Sequence, residues 1–158
     1  MVNEAEITSR KILIKGEEFD ITDFYKRVKV KADELGYLLI EKEQATKFTK
    51  YGQELKFEFH LHKEFDYFGK SEITIEVLFN NINKVKGIDK GDVKISIKGK
   101  QVLDYKNRWG NRVFNKFLFS LYLKINKKYF MHTYTIRIIG DVNSINDYLK
   151  DNLQIYHP

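Results

Sequence analysis

Three stretches in the middle of the chain alternate apolar and polar residues with period two. Leu55, Phe57, Phe59 and Leu61 form the apolar set of the first, Ile73, Ile75, Val77 and Phe79 of the second, and Val93, Ile95 and Ile97 of the third. Such alternation puts one face on a core and the other in water, the signature of an antiparallel sheet. "KILIKG" (11–16) and "YLLIEKE" (37–43) read as two more strands. Gly99 marks a bulge in the last strand or a turn into "QVLDY" (101–105). Residues 1–9 read as a ragged, flexible start.

Between the first two strands the period changes to that of a helix. Ile21, Phe24, Val28, Ala32 and Leu35 recur at helical spacing. Asp20 is placed to cap the N-terminus, Phe19 and Phe24 to staple it, and Gly36 to end it. The helix is therefore expected from about Ile21 to Leu35.

The last third is helical in pattern again. Val113 to Phe130 is rich in Leu, Phe and Lys, and Ile138, Val142, Ile145, Leu149, Leu153 and Tyr156 form one apolar stripe. "TYTIRII" (133–139) has strand-like composition, but the stripe runs into it and favours helix. The order β-α-β-β-β-β-α-α implies an α+β fold. The expected architecture is an antiparallel sheet of about five strands, with an N-terminal helix and two long C-terminal helices packed on it. At 158 residues, with no linker-like segment, the chain reads as a single domain, 1–158.

Charge sharpens this picture. Net charge is +6, and most of the excess lies in residues 101–158. Between Lys106 and Arg137 there is no acidic residue. A field of one sign attracts polyanions such as RNA, DNA or anionic lipid. The chain has no Cys, hence no disulfide or thiolate chemistry, which is consistent with the cytoplasm. The N-terminus lacks the apolar core of a signal peptide, and no apolar run is long enough for an integral membrane segment.

Several clusters form a recognisable set: "DITDFYKRVKVKADELGYLLIEKE", "FDYF" at 65–68, "KGDVKISIKG" at 90–99, and "DYKNRW" at 104–109 leading into "FNKFLFSLYLKINKK". Together they resemble a group of small uncharacterised archaeal proteins, over roughly residues 19–156. The resemblance implies archaeal origin, an α+β fold and a long final helix. It carries no activity and assigns no functional residue. The segment "TYTIRIIGD" is less polar than that pattern.

Motifs for chemistry are sparse. His60 and His62 alternate on a strand and share a face, as metal ligands can. That face is also the sheet's polar side, where histidines are ordinarily solvated. The serines lie in no G-x-S-x-G context, and no phosphate-binding glycine loop occurs. Asp66 and Asp104 read as turn residues bonded to backbone or to nearby cations. No catalytic motif and no cofactor signature is found, so the expectation is a non-enzymatic binding protein.

Residues 105–130 carry the functional expectation. Placed on a helix, Phe114, Leu118, Leu121, Tyr122, Ile125 and Tyr129 form the expected core face. Phe119, Leu123 and Phe130 form a second apolar ribbon. That ribbon is covered by the neighbouring helix, joins two copies in a homodimer, or helps bind an anion. Lys106, Arg108, Trp109, Arg112, Lys116, Lys124, Lys127 and Lys128 are the candidate nucleic-acid contacts, with Trp109 alternatively a lid over the sheet's end. The expected partner is RNA or a ribonucleoprotein surface such as the ribosome. Two alternatives stand beside it. One is a small apolar ligand in a cavity lined by Phe57, Phe59, Ile75 and Val77. The other is peripheral membrane attachment through the 113–130 helix.

Overall fold

The computed structural model describes residues 1–85 and 88–154, and the side chains of all of these except 43, 84, 85, 88 and 152–154. Five strands form one antiparallel sheet: β1 (Asn3–Phe19), β2 (Leu38–Thr49), β3 (Gly52–Glu64), β4 (Gly69–Val85) and β5 (Ile88–Leu103), in spatial order β1-β5-β4-β3-β2. Helix α1 (Ile21–Glu34) joins β1 to β2. After β5 come α2 (Val113–Ile125), α3 (Lys127–Phe130), a π-helical turn (Met131–Thr135) and α4 (Ile136–Gln154). The fold is α+β. "TYTIRII" is helical, in the π turn and the start of α4.

Local chemistry sets α1 as its sequence suggests. The Asp20 carboxylate accepts from the Asp23 amide at 3.0 Å. Phe19 and Phe24 are buried on either side of Phe79. Gly36 ends the helix at φ +82°, a conformation that side chains with a Cβ resist.

The strands are longer than their alternating cores. β1 begins at Asn3, which pairs with Leu103, so the expected flexible start is instead the first rungs of an edge strand. β5 runs unbroken through Gly99, which neither bulges nor turns. Gly99 answers to packing: a Cβ there would meet Val142 Cγ2 at 2.7 Å. Register shifts occur in β1 at Glu6/Thr8, opposite Gly99, and at Ile14/Glu17, in β2 at Glu41/Glu43, in β3 at Gln53/Leu55 and in β4 at Asn80/Asn83.

The main core lies between the sheet and helices α1 and α4. Phe57, Phe59, Ile75, Val77, Phe79, Ile95 and Ile97 point into it from the strands, and Ile138, Val142, Ile145 and Leu149 from α4. The Leu153 side chain and Tyr156 lie outside the described residues. A second, smaller cluster caps one end of the sheet: Phe68, Leu103, Phe119, Phe130 and Tyr134, with Trp109, Tyr122 and Leu123 half-buried against it. Phe65 packs against both clusters, and a set of partly or fully buried polar contacts accompanies it. The Tyr37 hydroxyl bonds to Ser71 and Asp141, Thr135 donates to Gln101 at 2.6 Å, and Tyr134 donates to Asp66 at 2.7 Å. Gly69 admits the Tyr134 ring, since a Cβ there would stand 2.5 Å from it.

Only one of the C-terminal helices covers the sheet as expected. α4 packs on β1, β5 and α1. α2 sits beyond the sheet's end, where Phe119 meets Phe68 and Trp109. The helix expected over 113–130 breaks at Asn126, whose side chain caps the Tyr122 carbonyl at 2.9 Å.

Candidate docking surface

The surface is built on two loops and one helix. Asp66 anchors the first loop: one carboxylate oxygen accepts from the Phe68 and Gly69 amides, both at 2.8 Å, and the other accepts from Tyr134. Burial pushes the Asp66 pKa up, but these bonds outweigh it and hold the group below its ordinary 3.8. Asp104 anchors the second loop. It is buried at φ +53°, accepts from the Arg108 and Trp109 amides, and pairs with the Met1 amine at 2.5 Å. Burial raises this group too, and again the amine and amide bonds prevail to lower it. Both aspartates therefore act as the structural anchors expected of turn residues.

Lowered folded-state values have a definite sign. The stabilisation from Asp66 and Asp104 is complete above about pH 4 and is lost as pH falls through the folded values below 3.8. Melting temperature should therefore drop steeply between about pH 4 and pH 2. Asp104→Asn should lower it at neutral pH and flatten that acid slope. An unchanged acid slope in Asp104→Asn would remove Asp104 from this role.

The anchored loop presents Lys106 and Arg108 to solvent, with the Arg108 guanidinium 5.3 Å from the centre of the exposed Tyr67 ring. Trp109 belongs to the small core. Its ring packs on Phe119 at 5.4 Å and on Tyr122 at 5.2 Å, leaving it half-buried. It is the lid of the sheet's end.

Helix α2 is turned about its axis relative to expectation. Phe119 and Phe130 are 1% and 4% exposed, so they are core and not a self-association surface, and Leu123 packs half-buried beside them. Most of the expected core face points outward instead: Phe114 is 69% exposed, Ile125 74%, and Leu121 and Tyr129 are exposed as well, while Leu118 is half-buried and Tyr122 packs half-buried against the small core. Val113 at 85% and Phe117 at 65% extend the same ridge. Phe119 meets Phe68 and Trp109, and Phe130 stacks on Phe68 and Tyr134, so the ribbon is the stripe that these rings cover.

Arg112, Lys116, Lys124, Lys127 and Lys128 are all exposed. At 100° per residue, Lys124 falls between Val113 and Phe117 on the helix circumference, so cation and apolar ridge are interleaved. None of these five, nor Lys106 or Arg108, takes part in the ion pairs recorded among the described residues. α2 is 13 residues long, about 20 Å. No helix among the described residues is long and apolar enough to cross a membrane.

The remaining candidates stand elsewhere. His60 and His62 share the open face of the sheet with ring centres 6.5 Å apart. His60 bonds to Glu58 at 2.9 Å, and His62 lies 3.5 Å from Glu72. Burial, only partly offset by Glu72, lowers the pKa of His62 below the ordinary imidazole value. Among the described residues no group of three His, Cys, Asp or Glu is placed to hold a metal. Phe57, Phe59, Ile75 and Val77 do not line one common cavity: each is core and at most 3% exposed, Phe57 stacks on Phe59 and meets Phe79 edge-on, and Phe57 also borders an open groove with Ile21, Tyr25, Gln44 and Leu55. No protein-family model matches the chain, and no curated protein sequence matches it either.

Proposed function

We propose that the protein is a non-enzymatic peripheral docking protein that lays α2 flat on an anionic membrane surface. The observation that carries this is the exposed ridge of Val113, Phe114, Phe117, Leu121 and Ile125, with Lys124 within it, Arg112 and Lys116 alongside, and no acid in α2. The aliphatic members of the ridge cannot stack on bases but do gain by entering lipid, at about 1.5–3 kcal/mol per fully buried side chain. Each cation near an anionic leaflet adds about 1 kcal/mol. Thirteen residues fall short of the roughly 20 needed to span, so the helix lies in the interface. The cytoplasmic leaflet, rich in anionic lipid, is the natural target. Two copies pairing through the same ridge would bring lysines of like charge together, which disfavours a homodimer there.

A second reading keeps the same cations and changes the partner to RNA or a ribonucleoprotein. Phe114, Phe117 and Tyr129 are exposed rings set among lysines, an arrangement that suits unpaired bases and phosphates. Flotation with vesicles of phosphatidylcholine alone or with phosphatidylserine separates the two. Attachment to the anionic vesicles only, weakened by salt and lost in Arg108→Glu/Arg112→Glu/Lys116→Glu, supports the membrane. Failure to float with either, together with salt-sensitive RNA binding lost in the same variant, transfers the surface to RNA.

A further inference from the structure

The β2–β3 hairpin ends in "KFTKYG" (47–52), where Phe48 is 80% and Tyr51 72% exposed, with Lys47 and Lys50 exposed beside them. No acidic residue occurs from Gln44 to Gln53. The turn is held in one shape. Thr49 Oγ1 donates to the Gly52 carbonyl at 2.8 Å, and Asn83 on β4 donates to the Tyr51 carbonyl at 3.3 Å. Gly52 at φ +137° packs so close that a Cβ would stand 2.8 Å from the Ile82 carbonyl. The Lys50 ammonium lies 5.9 Å from the Tyr51 ring centre.

We infer that this hairpin tip is a second binding site, for the unpaired bases and phosphates of a single-stranded nucleic acid. Its chemistry differs from that of α2. Two flat rings, two cations and neighbouring amide side chains offer stacking, charge and hydrogen bonds, and the tip has no aliphatic side chain larger than Ala45 to enter lipid. The site is also remote. Gly69, beside the α2 cluster, and Ile82, paired with Gln53, are separated by a strand length of about 40 Å along β4. Binding at the tip is thus independent of attachment through α2.

The test is fluorescence anisotropy with labelled oligouridylate and oligothymidylate of about ten nucleotides, without lipid. Phe48→Ala/Tyr51→Ala should weaken binding by on the order of tenfold or more. The Arg108→Glu/Arg112→Glu/Lys116→Glu variant should change it by less than about threefold, the electrostatic contribution of so distant a site being largely screened. Preference for one oligonucleotide over the other tells RNA from DNA. Wild-type protein that binds neither oligonucleotide, or a tip variant with wild-type affinity, overturns the inference. Loss of binding in the triple variant alone places the nucleic acid on α2 and overturns it equally. Because no lipid is present, none of these results bears on membrane attachment.

Discussion

Phe114→Ser/Phe117→Ser/Ile125→Ser is expected to abolish flotation with anionic vesicles, lowering the partition coefficient by at least about 100-fold. All three side chains are more than half exposed, so their removal deletes apolar area that only a partner covers. Melting temperature should stay within about 2 °C of wild type, because exposed substitutions rarely move stability by more than about 0.5 kcal/mol. Every cation remains in this variant. The contrast with Arg108→Glu/Arg112→Glu/Lys116→Glu therefore distinguishes insertion from simple charge attraction. Full attachment by the serine variant would leave the ridge without the role assigned to it.

Phe119→Ala should give the opposite phenotype from a position only two residues along the helix. Phe119 is 1% exposed and packs on Phe68 and Trp109. Removing a buried ring costs about 3–5 kcal/mol, which lowers the melting temperature of a domain this size by about 10 °C. Denaturation monitored by Trp109 fluorescence would show the loss first, since the indole packs at a tilt against the deleted ring. Tyr122 shares that cluster at 5.2 Å from Trp109 but keeps one flank in solvent, so Tyr122→Ala should cost less. A wild-type melting point for Phe119→Ala would mean that the helix faces the other way.

The sheet and α1 were legible because each carries redundant signals. Period-two alternation at Phe57, Phe59, Ile75 and Val77 admits one inward face, and Asp20, Phe24 and Gly36 bracket the helix at both ends. The ends of β1 were not legible, since Asn3 to Ser9 mixes charged and small residues and is held by pairing with β5. α2 failed for a different reason. Apolar residues surround most of its circumference, so periodicity defines two stripes and leaves open which one is inward. The decision rests on Phe68, Trp109 and Tyr134, residues distant in sequence whose convergence only the folded chain produces. The outward cations of 106–128 were legible, because a run without a single acid has no local partner to neutralise it. The aromatic hairpin tip has no periodicity to mark it, and its only signal in the sequence is two rings and two lysines just before Gly52.

The hydrogen bonds from Tyr37 to Ser71 and from Thr135 to Gln101 lie where the terminal cap meets the main core, and Phe65 packs against both clusters. The cap is the smaller cluster, and α2 leaves most of its apolar ridge in solvent, the features of a region that opens before the sheet does. Amide hydrogen exchange should therefore fall into two tiers, fast in α2 and slow in the central strands. Loosening of the cap is expected to leave the pairing of the strands beneath it intact.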